Sequence, residues 1–227
     1  MIDFERARAA MVDSQIHPSQ VTDRRILAAF AAVPREIFVP PAKRALAYSD
    51  ASLEVFPSVD GTPARFLLPP VVLARLIQLA EVGPNDSVLD IGSMTGYSTA
   101  VLFHVARSVL GLEAEPELVD TMRANFAALG IDAGSAEGRL ELGAARLGPF
   151  DVILLNGSVP EVPAALFDQL KDGGRLVAVI ADERAGRARQ GRAYRFVKLD
   201  GEASGVSHFD ANAKPLPGFA KAPVFTF

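Results

Sequence analysis

From Pro70 onward, the apolar positions alternate between two rhythms. In "VVLARLIQLAEVG", Leu73, Leu76, Ile77 and Ala80 recur at helical spacing, and Gly83 is the expected stop. "DSVLDIG" is a short apolar run of the kind found in a strand covered on both faces. The exchange then repeats. "YSTAVLFHVAR" predicts a helix, "SVLGLEA" a strand, and "EPELVDTMRANFAALG" a helix with Leu118, Met122, Phe126 and Leu129 on one stripe and Gly130 at its end. "PFDVILLNG" predicts a strand, "EVPAALFDQL" a helix and "GGRLVAVIA" a further strand, with a weaker strand near "DAGSAEG". Strands that alternate with amphipathic helices form βαβ units, and so a mostly parallel sheet with helices on both faces.

The pattern changes at both ends. In "AYRFVKLDGEASGVSHF", a "DG" pair separates two strand-like halves, the signal of an antiparallel hairpin. Upstream, Ile26, Leu27, Phe30 and Val33 follow helical spacing, with Thr22 or Asp23 as the cap and Pro34 as the stop. Residues 48–66 are rich in Asp, Ser, Pro and Gly and predict loops and short strands. The expected division is a helical and loop extension over 1–69, an α/β core over 70–182 and a hairpin over 183–227 that completes the same domain. A parallel sheet that finishes in an antiparallel hairpin is the layout of class I, Rossmann-like methyltransferases.

The chemistry concentrates at the first strand–turn–helix, "VLDIGSMTGYSTAVL". In an open α/β sheet, ligands sit at the carboxyl ends of the strands where the strand order reverses. Gly92 and Gly96 are four apart, whereas the outer glycines of a dinucleotide fingerprint are five apart. Asp90 precedes the first glycine by two; its carboxylate would repel a phosphate and suit a cationic amino group. Glu113 ends the second strand, where a carboxylate can accept both ribose hydroxyls, or else serve the helix that follows. These features point to S-adenosylmethionine, with Asp90, Gly92, Ser93, Met94, Gly96 and Glu113 as its binding residues. Met94 stands where a G-x-G-x-G loop has its middle glycine. If φ is positive there, the side chain costs roughly 1–2 kcal/mol. If the glycine made room for the ligand, the thioether intrudes; the third outcome is that Met94 fills space in the core.

Composition narrows the picture. The chain has 227 residues, 49% of them hydrophobic, enough for a large core, and its apolar runs are too short for a transmembrane helix. The first residues, "MIDFERARAAMVDSQ", carry charges where a signal peptide needs an apolar stretch. The absence of cysteine excludes disulfides and thiolate chemistry and fits a cytoplasmic setting. His17, His104 and His208 share no ligand-like spacing, so no metal is expected. A net charge of −4 argues against a general nucleic-acid binder. One local exception, "ERAGRARQGRAYRFVK", is read first as a solvated loop entering a strand.

The chain resembles the protein-L-isoaspartate (D-aspartate) O-methyltransferases. The resemblance rests on "VPREIFVP" followed by "ALAYSD", on the glycine loop apart from Met94, and on "VPEVPAALFDQLKDGGRLVAVI". It implies methyl transfer from S-adenosylmethionine to a carboxylate of a damaged protein or peptide. Two departures accompany it. The family has a T-I-S-x-P segment whose serine contacts the substrate carboxylate, and the equivalent position here is Leu68 in "FLLPP". The nearest stretch to the family's acidic G-D-G-like motif is Glu137-Gly138-Arg139, where the acid is displaced or lost. An isoaspartyl carboxylate, with a pKa near ~4, is already ionised at neutral pH, so no general base is needed and the task is alignment. Leu68 offers that carboxylate no hydrogen bond, and no catalytic residue is assigned; Thr62, Ser58 or Tyr48 are the hydroxyls left to compensate. The alternatives are a non-catalytic relative acting as a binding module and a methyltransferase for a small-molecule or RNA acceptor. The oligomeric state and the physiological acceptor are not encoded in any local pattern.

Overall fold

The computed structural model describes residues 2–59, 61–181 and 191–219. The lead segment is helical. Helix α1 (Phe4–Met11) is capped by Asp3, whose carboxylate accepts from the Arg6 amide at 3.0 Å. A π-helical turn, Val12–Ile16, follows. Helix α2 (Arg24–Ala32) starts at Asp23, which accepts from the Arg25 amide at 2.8 Å, so the expected cap is the one used. Strands β1 (Leu53–Phe56) and β2 (Arg65–Leu67) pair antiparallel. Met11, Ile16, Phe30 and Phe38 of the lead segment belong to the same buried apolar cluster as Leu89, Ile91 and Tyr97 of the sheet and its first helix.

The core follows the predicted alternation: α3 (Pro70–Leu79), β3 (Ser87–Ile91), α4 (Tyr97–Phe103), β4 (Ser108–Glu113), α5 (Pro116–Leu129), β5 (Gly134–Glu137), β6 (Phe150–Val159), α6 (Ala164–Asp168), β7 (Leu170–Ala181), β8 (Gly191–Leu199) and β9 (Glu202–Ala211). Helix α3 turns at Glu81, a non-glycine residue with φ of 50°, two residues before the glycine expected to end it. The sheet order is β5-β4-β3-β6-β7-β8-β9. Pairings from β5 through β7 are parallel, and those of β7 with β8 and β8 with β9 are antiparallel. The last hairpin turns at Asp200 and Gly201, with φ of 52° and 84°, as a two-residue turn with both centres left-handed requires.

Two features of this sheet create the site. The order reverses between β3 and β6, which opens a crevice at their carboxyl ends. Strand β6 also carries an irregularity: Leu154 pairs with Val177 and Ser158 with Val179, so four residues on β6 span two on β7. That bulge holds Asn156 and turns its side chain toward β3. Among the described residues, no helix is long and apolar enough to cross a membrane.

Candidate functional site

The crevice is floored by the loop from β3 to α4. Gly92, Met94 and Gly96 all have positive φ, at 73°, 54° and 96°. The middle position is therefore left-handed, and Met94 accepts the associated strain. Its side chain is buried. The Gly92 and Ser93 amides donate to the Leu112 carbonyl at 2.9 and 3.2 Å, which ties the loop to β4. Gly96 has to be small: a β-carbon there would lie 2.7 Å from the Phe126 ring and 2.8 Å from Met122 on α5.

Both expected acids lie at this loop, and both are fully buried. Asp90 Oδ2 accepts from the Ser98 and Thr99 hydroxyls, each at 2.6 Å, and Oδ1 accepts from Asn156 Nδ2. Burial pushes this carboxyl up to about 6 against the pull of those three donors. Asp90 thus ties β3 to α4 and to the bulge of β6, a role its position before a glycine did not disclose.

Glu113 is held on every side. Its Oε1 accepts from Arg65 Nη1 and from the Ala114 amide at 2.7 Å. Its Oε2 accepts from Arg65 Nη2 at 2.9 Å and from the Met94 amide at 2.8 Å. Arg65, at the start of β2, is 2% exposed, and its guanidinium faces the carboxylate as a two-pronged ion pair. Sequence reasoning missed Arg65. The available signal was a single cation in "PARFLLPPVV", an otherwise apolar stretch.

A second unanticipated residue completes the enclosure. The segment after β9 returns to β6: the Ser158 amide donates to the Lys214 carbonyl at 2.9 Å, and the Leu216 amide donates to the Ser158 carbonyl at 2.9 Å. Leu216 then lies against two glycines. A β-carbon on Gly92 would fall 2.7 Å from Leu216 Cδ2, and one on Gly157 would fall 2.6 Å from Leu216 Cγ. Arg65 Nη2 lies 3.4 Å from that same built position on Gly92. The cavity left between the loop, Leu67, Leu68 and Asn156 is about 10 Å³, room for roughly one water molecule. A larger cavity of about 270 Å³, lined by Phe38, Pro40, Val55 and Leu118, meets the loop at Thr95.

Leu68 lies at the loop and lines the small cavity with Met94 and Tyr97. Its carbonyl accepts from Arg35 Nη2 at 2.7 Å, and Arg35, fully buried, lies 4.5 Å from the centre of the Tyr97 ring. The three hydroxyls considered as substitutes stand elsewhere. Tyr48 donates to Glu36, Ser58 donates to the Thr62 carbonyl at 3.0 Å, and Thr62 pairs with Val59. Glu137 is exposed at the end of β5, in register with Glu113. Of the arginine-rich run, Arg184, Arg187 and Arg189 lie outside the described residues. Arg192 pairs with Asp210, Arg195 with Glu81, and Lys198 donates to the Phe167 and Leu170 carbonyls.

With this geometry established, comparison with known proteins assigns the family. Residues 6–204 match the family model for protein-L-isoaspartate(D-aspartate) O-methyltransferase. The chain belongs to that family. A protein-L-isoaspartate O-methyltransferase of Koribacter versatilis is 37% identical over 175 residues, covering 77% of this chain and 76% of the relative. One from Methanoregula boonei is 36% identical over 203 residues, covering 86% and 89%. A solved protein-L-isoaspartate O-methyltransferase superposes with a TM-score of 0.78 at 26% identity, over 94% of this chain and 66% of that one. A Plasmodium falciparum structure described as a protein-L-isoaspartate O-methyltransferase in complex with S-adenosyl-L-homocysteine gives 0.71 at 20% identity, over 91% and 96%. The class I methyltransferase architecture predicted from the alternation is the one observed. Among the described residues, Arg65 takes the Glu113 carboxylate and Leu216 takes the space over Gly92.

Proposed function

We propose that this chain is an S-adenosylmethionine-dependent O-methyltransferase that acts on a carboxylate of damaged protein or peptide, or on an altered acceptor, once its cleft has opened. The observation that carries the reading is the family match over residues 6–204, which spans the glycine loop and both strand-end acids. Asp90, Gly92, Ser93, Met94, Gly96 and Glu113 are the residues we assign to the cofactor; no general base is assigned, because the acceptor carboxylate is already ionised. A cytoplasmic setting is supported by the absence of cysteine. The test is transfer of a radiolabelled methyl group to an isoaspartyl peptide. Slow transfer that rises with S-adenosylmethionine into the millimolar range is expected from the wild type.

A second reading has its own observation. The Arg65–Glu113 pair and Leu216 together support a non-catalytic relative that kept the fold as a binding module. Absence of S-adenosylmethionine binding by both the wild type and Leu216→Ala would favour this reading over the first.

A further inference from the structure

We infer that Arg65 and Leu216 are a built-in occupant of the cofactor cradle, and that S-adenosylmethionine binds by displacing them. The inference rests on the assignment of the Gly92–Gly96 loop to that cofactor.

The first argument is the hydrogen-bond capacity of Glu113. A carboxylate offers about four lone-pair sites. Arg65 Nη1 and the Ala114 amide fill those of Oε1; Arg65 Nη2 and the Met94 amide fill those of Oε2. A ribose diol finds no free acceptor while Arg65 is in place. The guanidinium also holds its donors in a fixed fork that matches the carboxylate, so one cation replaces two hydroxyls.

The second argument is the use made of the glycines. A glycine beside a ligand site permits close approach by what binds there. Here the approach to Gly92 and Gly157 is made by Leu216, at distances a β-carbon on either residue would forbid. Met94 is buried as well and lines the small cavity with Gly92 and Leu68. The space over Gly92 and Gly157 is thus taken by the Leu216 side chain, and a ligand that approaches these glycines has to exchange places with it.

The third argument is that the two halves are joined. Lys214, two residues before Leu216, places its ammonium 5.3 Å from the centre of the Phe66 ring, and Phe66 follows Arg65 on β2. The β2 segment and the returning segment therefore meet over the same crevice. They differ in how firmly they are held. The returning segment is fastened to β6 by two backbone hydrogen bonds at Ser158, whereas Arg65 is fastened by a buried ion pair. Leu216 is the half that leaves first.

The experiment is calorimetric titration of S-adenosylmethionine and S-adenosylhomocysteine into full-length wild type, Leu216→Ala, Arg65→Ala and the double variant. Leu216→Ala should bind at least about tenfold more tightly than wild type, a gain of about 1.4 kcal/mol, and the double variant more tightly still. In wild type, saturating ligand should speed hydrogen exchange of the Leu216 amide. A Leu216→Ala chain with a cooperative melt but no gain in affinity overturns the inference, whatever the Arg65 variants do, since those leave Glu113 without its partner. Methyl transfer by the same chains separates this inference from the enzyme reading. Tighter binding without transfer to the isoaspartyl peptide leaves the occupant in place and counts only against that acceptor. Equal affinity and equal turnover in wild type and variants sinks the occupant and leaves the enzyme.

Discussion

Arg65 meets Glu113 across 48 residues of sequence, fork against fork, with both side chains out of contact with water. A buried ion pair adds little net stability, because desolvating two charges offsets their attraction. Removing one partner is different, since the other is left charged and unmatched. Arg65→Ala should therefore lower the free energy of unfolding by about 3–5 kcal/mol. Arg65→Ala combined with Glu113→Gln should recover part of that loss. Denaturant unfolding of the four chains in the cycle measures it, and additive single effects would show that the pair is not coupled.

The contact of Leu216 with Gly157 gives a second cycle. A β-carbon on Gly157 would stand 2.6 Å from Leu216 Cγ and 2.8 Å from the Lys214 carbonyl oxygen. Gly157→Ala should cost about 1–3 kcal/mol by overpacking. In a Leu216→Ala background the cost should fall, though not to zero, because the Lys214 carbonyl remains. An undiminished cost in that background would place the clash elsewhere.

Asp90 makes stability depend on pH in a direction unusual for a carboxylate. Burial raises its pKa from 3.8 to about 6, against the hydrogen bonds from Ser98, Thr99 and Asn156. Between those values the folded state binds more protons than the unfolded state, so stability falls as pH rises. The contribution is fully present below pH 3.8 and is lost as pH passes 6. Its size is of the order of 2–3 kcal/mol. Asp151 works in the opposite sense at lower pH. Burial raises its carboxyl, but the bonds from Lys171 and from the Ser87 amide and hydroxyl outweigh it and hold it at about 2. That stability is present above pH 3.8 and lost as pH falls toward 2. Asp90→Asn should flatten the unfolding free energy between pH 4 and pH 6. An unchanged slope in the variant would assign the titration to another group.

The sheet was legible because its information is local. The apolar rhythm switches between periods that a short window can resolve, and Asp23, Gly130 and Asp200-Gly201 mark boundaries through capping and turn chemistry confined to a few residues. The glycine loop was legible for the same reason, and the left-handed backbone at Met94 is one of the three outcomes its sequence left open. The contents of the cleft were not. Arg65 reaches Glu113 from the strand pair outside the main sheet, and Leu216 reaches Gly92 from beyond the last strand. Neither contact leaves a periodic trace, and a lone arginine beside apolar residues looks the same in sequence whether it points to water or to a carboxylate. Asn156 was hidden by the bulge that redirects it, since a regular strand would have set its side chain by simple alternation.

Leu68 decides between the family's acceptor and another. Its side chain is buried and lines the small cavity at the loop with Met94 and Tyr97, and its carbonyl is fixed by Arg35. An apolar side chain there would desolvate an incoming carboxylate without a donor in return, a penalty of about 1–3 kcal/mol on the scale of protein mutational data. Methyl transfer depends on alignment, so a small displacement of the acceptor costs orders of magnitude in rate. Activity on an isoaspartyl peptide should therefore be weak in the wild type and remain weak in Leu216→Ala, even where the cofactor binds more tightly. Adding Leu68→Ser to Leu216→Ala should raise it. The same substitution should reduce stability by about 2–5 kcal/mol, the range for truncating a buried leucine, so turnover has to be compared below the melting transition. Radiolabelled transfer by the three chains, at saturating S-adenosylmethionine, is the measurement. Robust turnover by the wild type would show that a backbone donor near Leu68 suffices for the carboxylate. No gain from the serine, with cofactor binding confirmed, would point to an acceptor that carries no free carboxylate.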